Sequence, residues 1–171
     1  LGLDQGGGDS MTTVAGDVVM VGGVGNDVIR AGSGNSIVLG DSGRLVFDAS
    51  GSGALRQAVS LGLAQGGNDD IALGSAGADR DGDKIVIGGG GADTIQLLSA
   101  RGSRPFDEAR PDAASNPERV VAGDNAAIQL DAAGRMTDFL SLDADPATGG
   151  NDQISIIMSG LALAGNPLTD Y

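Results

Sequence analysis

The 171-residue chain contains no cysteine and no histidine, and aromatic residues make up only 2% of it. Without cysteine there is no disulfide framework and no thiolate metal site. Without histidine, Ser-His-Asp and Cys-His catalysis and the usual zinc sites are excluded. Basic residues are also scarce, since one lysine and nine arginines face 23 acidic residues, for a net charge of −13. Nucleic-acid binding, which needs positive charge against phosphate, is therefore disfavoured.

Two further observations limit the class of protein. No apolar run is long enough to span a bilayer, so we expect no membrane insertion. Because the chain begins at Leu1 rather than at methionine, we expect it to be part of a longer protein. Hydrophobic residues make up 40% of the chain and recur at regular intervals, which argues against a disordered segment.

Aspartate and glycine dominate what is present. Of the 23 acidic residues 21 are aspartate, and 31 residues are glycine. A short carboxylate can bond to its own loop or reach an oxygen-seeking cation, and glycine permits the backbone conformations of tight turns. This bias indicates turn chemistry or binding of a hard cation, not a generic acidic surface.

The sequence repeats. Residues 22–30 (GGVGNDVIR) and 88–96 (GGGGADTIQ) match the pattern G-G-x-G-x-D-x-U-x, in which U is aliphatic, at every fixed position. Shorter copies occur at 6–9, 66–71 and 149–154, and degenerate copies contain Asp17 and Asp83. The copies predict one repeat unit over 1–65, a second over 66–148 with a loop insertion at about 99–119, and the start of a truncated third unit over 149–171.

A nine-residue period fits neither a helix nor an ordinary antiparallel meander. It fits a glycine-rich corner followed by a short strand in a parallel stack. We expect the aliphatic position to form ladders in the core, one through Val19, Ile29, Val38 and Phe47 and another through Ile71, Val86 and Ile95. Alternating apolar residues at 45–63 and 128–142 predict hairpins or edge-covering strands that interrupt the repeats.

Stacking would bring corner aspartates close together. Adjacent strands lie about 4.7–4.9 Å apart, and two carboxylates at that distance repel by about 1 kcal/mol in bulk water and by several kcal/mol at an effective dielectric constant near 20. A divalent cation between the turns would reverse the sign. Carboxylate and glycine carbonyl oxygens suit Ca²⁺ better than Mg²⁺ or zinc.

These residues resemble the RTX (repeats-in-toxin) nonapeptide family of secreted bacterial proteins, over roughly 4–48, 64–96 and 147–155. The resemblance implies an all-β, right-handed parallel β-roll or β-solenoid with hairpin or loop interruptions, whose folding is coupled to Ca²⁺ binding. It implies that Asp27 and Asp93 are carboxylate ligands and that Asp17 and Asp83 are their partners. Further implied ligands are the carbonyls of Gly23, Gly25, Gly89 and Gly91, and the carboxylates of Asp9, Asp69 and Asp152, which lack a full glycine corner.

Some features depart from the family pattern or imitate another one. Ser36 stands where an aspartate is expected, so a solenoid with few or no calcium ions remains open. Asp79 and Asp81 predict either an accessory calcium cluster or a solvated acidic loop; an EF-hand is disfavoured because its glycine would come two positions early. Residues 40–43 (GDSG) imitate a serine-protease segment, but without histidine they predict a turn.

We therefore expect a calcium-stabilised structural repeat segment of a large extracellular or cell-surface bacterial protein, such as an adhesin, matrix or filament component, and not an enzyme. Candidate partners are calcium ions and adjacent copies or modules of the same protein, stacked end to end. Two alternatives remain open. One is the calcium-dependent tail of a secreted lipase or protease, and the other is a glycan-binding module.

Overall fold

The computed structural model describes residues 6–75, 82–100, 119–143 and 148–159. All regular structure in these ranges is β-strand, which confirms the prediction of an all-β chain. Within them no helix is long and apolar enough to cross a membrane. Thirteen strands, numbered β1 to β13 in chain order, form one five-stranded and two four-stranded sheets in the described part of the chain.

Two of the sheets are parallel throughout. Sheet A has the order β1-β3-β7-β9-β13 and sheet B the order β10-β8-β4-β2. The strands of sheet A are β1 (Ser10–Ala15), β3 (Val28–Ser33), β7 (Asp70–Leu73), β9 (Thr94–Ala100) and β13 (Gln153–Ser159). Those of sheet B are β2 (Val18–Val21), β4 (Ser36–Leu39), β8 (Lys84–Ile87) and β10 (Arg119–Ala122).

Sheet C is antiparallel and consists of two hairpins, at the places where the sequence predicts interruptions. Strand β5 pairs with β6, and β11 pairs with β12. The hairpins join through β6 and β11 into one sheet. The four strands are β5 (Gly43–Phe47), β6 (Leu55–Ser60), β11 (Ala126–Leu130) and β12 (Met136–Ser141).

Sheet B is the middle layer. Val38 and Val86 pack with Ile29, Ile71 and Ile95 of sheet A in one buried cluster. The alternate residues of the same sheet B strands pack against the hairpins in a second cluster, which includes Leu39, Ile85, Ile87, Ala58 and Ile128. A parallel sheet covered on both faces needs an uninterrupted apolar run, and β8 provides it in Ile85, Val86 and Ile87, which are all buried.

The chain alternates between sheets A and B, and this corrects the expected ladders. Between the paired strands β1 and β3 it crosses to sheet B as β2 and returns, so two successive repeats make one full turn. Ile29, Ile71 and Ile95 form one ladder in sheet A, and Val38 and Val86 belong to another in sheet B. Val19 is 50% exposed and Phe47 is 41% exposed, in sheets B and C.

Two rows of connections join the parallel sheets. We call the connections from sheet B to sheet A the first corner row, and those from sheet A to sheet B the second corner row. Both hairpins are inserted in the first row, one after β4 and one after β10. Strand β3 still pairs with β7 in parallel, although the first hairpin lies between them in sequence. The hairpin therefore lengthens one turn without interrupting the stack of sheet A.

Candidate metal centre

The first corner row contains a column of aspartates, which we call the aspartate ladder. Each member directly precedes a strand of sheet A, and the parallel register stacks them one above another. The members are Asp9, Asp27, Asp69, Asp93 and Asp152.

Backbone amides bind one oxygen of each carboxylate after the first. The amide of Asp9 donates to Asp27 Oδ1 at 2.6 Å, and that of Asp27 donates to Asp69 Oδ1 at 2.8 Å. In the same way, the amide of Asp69 donates to Asp93 Oδ1 at 2.8 Å, and that of Asp93 donates to Asp152 Oδ1 at 2.9 Å. The ladder therefore connects every strand of sheet A to its neighbour.

The second carboxylate oxygen has no such partner at the three central rungs. Asp27, Asp69 and Asp93 are each no more than 2% exposed, and the Oδ2 atom of each is buried without a hydrogen bond. An unpaired polar atom in a protein interior is costly, and more so when it carries charge. These three buried oxygens are therefore the main candidate ligands of the row.

Each Oδ2 folds back onto the glycine that begins its own corner. A Cβ on Gly40 would lie 2.2 Å from Asp69 Oδ2 and 2.3 Å from the carbonyl oxygen of Gly88. A Cβ on Gly88 would lie 2.3 Å from Asp93 Oδ2 and 2.2 Å from the carbonyl oxygen of Gly123. Carboxylate and carbonyl oxygens are thus crowded together in space that only glycine leaves open.

Asp41 adds a further carboxylate to this row. It follows Gly40, where the uninterrupted corners have Gly23 and Gly89, and it is only 5% exposed. Its Oδ1 accepts a hydrogen bond from the Gly67 amide at 3.1 Å, and its Oδ2 accepts one from the Gly90 amide at 2.7 Å. Asp41 therefore fastens the chain where the first hairpin returns to the corner.

Burial raises the pKa of several of these carboxyls. The pKa of Asp69 and that of Asp93 rise to about 7, chiefly because burial disfavours the charged form, although an amide donor partly offsets the rise in each. The pKa of Asp41 also rises to about 7, mainly through burial and against the two amides that it accepts. Burial likewise raises the pKa of Asp27.

Asp124 is the counterpart of Asp41 at the second hairpin. Its Oδ1 is buried without a hydrogen bond, and burial raises its pKa, with Asp152 and Asp143 adding repulsion.

The predicted carbonyl donors lie in the uninterrupted corners of the same row. Gly23, Gly25, Gly89 and Gly91 all have positive φ, between 107° and 122°, so glycine is needed there.

The structure separates the other predicted partners from this row. Asp17 and Asp83 are exposed in the second corner row, at the opposite ends of the sheet A strands. Asn35 lies between them in the register of sheet B and is therefore the residue that replaces an aspartate, whereas we expected that residue to be Ser36. The backbone amide of Asn35 donates a hydrogen bond to Asp17 Oδ1 at 2.9 Å, and this bond lowers the pKa of Asp17. Asp79 and Asp81 lie outside the described residues.

A cation in the first row would have to draw on mixed donors. In the described part of the chain, no group of three or more acidic side chains converges on a single metal position. Calcium accepts backbone carbonyls alongside one or two carboxylates, in flexible six- to eight-fold coordination. The buried Oδ2 atoms and the neighbouring glycine carbonyls fit that donor set, whereas they offer no nitrogen or sulfur for zinc.

Three members of this row were undervalued or missed from sequence. Asp69 is as buried as Asp27, although its glycine corner looks incomplete in the linear sequence. The first half of its corner is Gly40-Asp41, which the first hairpin separates from Asp69 in sequence. In the same way, the second hairpin separates Gly123-Asp124 from Asp152. The matching Gly-Asp pairs before the two hairpins were the signal that could have located Asp41 and Asp124.

Comparison of the chain with protein-family models, with curated proteins and with solved structures found no match.

Proposed function

We propose that this chain is a calcium-stabilised structural repeat segment of a large extracellular or cell-surface bacterial protein. In this proposal sheets A and B wind as a right-handed parallel β-roll, and calcium ions bind along the first corner row. Their role is to make folding depend on calcium.

The observation that carries the proposal is the set of unpaired Oδ2 atoms of Asp27, Asp69 and Asp93. Three stacked, buried carboxylates would repel one another, and the Oδ2 atom of each has no hydrogen bond. A divalent ion would satisfy these oxygens and cancel the repulsion between the corners. Of the ligands proposed from sequence, Asp69 lies between Asp27 and Asp93 in the ladder and shares their geometry.

The net charge supports an extracellular location. At −13 the chain repels itself when no cation is bound. Sites of the extracellular class bind calcium at about 10⁻⁴–10⁻³ M, well above cytosolic concentrations. The segment would then remain open before export and fold on reaching the calcium outside, because metal binding and folding are one coupled step.

Circular dichroism and thermal unfolding in EGTA, in calcium and in magnesium at equal ionic strength test this proposal. We expect calcium to increase the β signal and to raise the unfolding midpoint. A site held at 100 times its dissociation constant contributes about 2.7 kcal/mol. Identical spectra and midpoints in all three buffers would overturn the proposal.

Two matched variants locate the effect. The variant D27N/D69N/D93N removes three carboxylates of the first corner row. The control D17N/D83N removes exposed carboxylates of the second row. We expect the first variant to lose the calcium response and the control to keep it; the reverse result would place the ions elsewhere.

A further inference from the structure

The single lysine of the chain, Lys84, lies in the interior. It begins strand β8 in the second corner row and is only 1% exposed. Lysine is among the residues least often fully buried, because its ammonium must then be satisfied by protein groups. Such a position calls for a specific reason.

The ammonium contacts two backbone carbonyls from neighbouring connections. Lys84 Nζ donates to the carbonyl oxygen of Gly34 and, at 3.3 Å, to that of Gly82. Gly34 precedes strand β4 and Gly82 precedes β8, and these strands are paired in sheet B, with Ser36 opposite Lys84. One positive charge therefore spans two successive corners of the row.

These corners are packed too closely for side chains. A Cβ on Gly82 would lie 2.3 Å from Asn35 Oδ1 and 2.8 Å from the carbonyl carbon of Gly34. A Cβ on Gly34 would lie 2.5 Å from the carbonyl oxygen of Gly16. The neighbouring connections therefore approach each other closely, and Lys84 Nζ contacts the carbonyl oxygens of Gly34 and Gly82.

We propose that the second corner row contains a carbonyl-lined cation site whose resident cation is the ammonium of Lys84. The class of ligand is a primary ammonium, supplied by the chain itself. It links the Gly34 and Gly82 connections in the way that a bound metal ion would link two turns. The link between these two connections then needs no metal ion.

The neighbouring residues agree with this assignment. In the first row Asp27, Asp69 and Asp93 are buried and close to one another, whereas in the second row Asp17 and Asp83 are exposed and Asn35, which is neutral, separates them. Lys84 is paired in sheet B with Arg119 on its other side, and the charge of Lys84 adds to the hydrogen bond from Asn35 in lowering the pKa of Asp17 in the same row. The inference rests on the contacts of Lys84 and does not require calcium in the first row.

Two substitutions test whether the charge matters. K84M keeps the length of the side chain without charge or donors, and K84Q keeps amide donors without charge. We expect K84M to lower the unfolding midpoint by about 4–10 °C, because the carbonyls lose their donor, and K84Q to recover only part of that loss. Both losses should be equal in EGTA and in calcium. A K84M variant as stable as the wild type would overturn the proposal.

Chemical rescue provides a second and more specific test. In K84A the site is vacated, and added methylammonium should raise the midpoint of K84A more than that of the wild type or of K84M. Tetramethylammonium, which cannot donate a hydrogen bond, is the control and should have no such effect. If calcium rescues K84A and methylammonium does not, the site is an ordinary metal site and the proposal fails.

A measurement on the unmodified protein covers the case in which the variants do not fold. Because the chain has one lysine, its side-chain ¹⁵N signal is unambiguous. We expect Nζ protons that exchange slowly with water in the folded protein. Exchange as fast as that of a free lysine would refute the site, whatever the outcome of the calcium experiments.

Discussion

The buried carboxylates of Asp27, Asp69 and Asp93 each accept a hydrogen bond at only one of their two oxygens. Oδ1 of Asp69 accepts an amide, while its Oδ2 is buried against Gly40 with no hydrogen bond. Burial favours the neutral form of the Asp69 carboxyl, whereas the hydrogen bond from the backbone amide of Asp27 favours the charged form. Burial has the larger effect, so the pKa of Asp69 is raised. A residue in this state is stabilised either by a proton or by a cation.

Replacing Asp69 with asparagine should therefore have opposite effects with and without calcium. The asparagine oxygen can still accept the Asp27 amide, while its NH₂ group can donate to the nearby carbonyl of Gly88 and leaves no buried charge. We expect D69N to raise stability in EGTA by about 1–3 kcal/mol and to lower it in calcium. Chemical denaturation in both buffers measures this.

Asp17 is the matched control for that substitution, since it accepts the equivalent amide bond but is exposed in the second row. D17N should lose a little stability in either buffer and should show no reversal. A D69N variant that is less stable than the wild type in EGTA would contradict the interpretation of Asp69 as a buried, uncompensated charge.

Glycine at the start of a corner is required for steric reasons. A Cβ on Gly40 would collide with both Asp69 Oδ2 and the carbonyl of Gly88, although the φ of Gly40 is not positive. We expect G40A to cost about 1–3 kcal/mol in thermal or chemical unfolding. Gly7 has no atom within 4 Å of a built Cβ and no positive φ, so G7A is the control and should be neutral. If G40A loses no more stability than G7A, small shifts of the neighbouring atoms are enough to accommodate a Cβ at Gly40.

The hairpins fit the parallel sheets because the spacings agree. A hairpin adds two strands to sheet C, and the hairpins follow β4 and β10, which are separated by two steps in sheet B. Strands in all sheets are spaced by about 4.7–4.9 Å, so sheet C keeps pace with the layers below it. Insertion at every second corner therefore produces a continuous third layer instead of isolated protrusions.

This layering predicts that the hairpins belong to the cooperative core. Ile71 is buried between sheets A and B, and Ile128 is buried where sheet C covers sheet B. We expect I71A and I128A each to cost about 2–5 kcal/mol and to shift one common unfolding transition. Val14, which is 85% exposed, supplies the control V14A and should change little. A separate early transition in I128A would mean that sheet C unfolds independently.

The elements could be predicted from sequence more fully than their arrangement. The nine-residue period located the strands after Asp27 and Asp93, and alternating apolar residues located both hairpins. The period does not state whether successive strands stack or face each other, so the expected ladder from Val19 to Phe47 was wrong. The β8 run Ile85-Val86-Ile87 was the available signal, because continuous burial indicates a strand covered on both faces.

The candidate site was predictable only where the motif is continuous. Asp27 and Asp93 lie in complete corners, but Asp41 is brought to Gly67 and Gly90 by a chain that leaves and returns. Contacts between residues so far apart follow from the sheet register, which short-range patterns do not encode. Lys84 gave no local signal, since a lysine at the start of a strand is ordinarily solvated.

On the scale of the molecule, the described residues of the two corner rows differ in their charge. Buried carboxylates gather in the first row, and the second has exposed carboxylates with the Lys84 ammonium inside. The net charge of −13 adds a general repulsion. Stability should thus depend on the binding of cations to the buried carboxylates of the first corner row. When cations are absent, it should depend on the protonation of the same carboxylates.

That dependence can be measured as a pH profile in EGTA. The pKa values of Asp41, Asp69 and Asp93 rise from 3.8 to about 7 on folding, mainly through burial. Between these values the folded chain holds protons that the unfolded chain has released, so stability falls as pH rises. The penalty is absent below about pH 4 and complete above about pH 7. We expect the metal-free midpoint to fall from pH 5 to about pH 7 and to level off above that pH, and D41N/D69N/D93N to flatten that slope.

Calcium should invert the profile, because a proton and a cation compete for the same oxygens. Deprotonation at higher pH frees the carboxylates to bind the ion, so the stabilisation by calcium should be small at pH 5 and large at pH 8. A metal-free midpoint that rises with pH over this range would mean that the carboxyls are not uncompensated in the folded chain. In that case neither protons nor calcium would have a buried charge to relieve, and the first corner row would be stable without either.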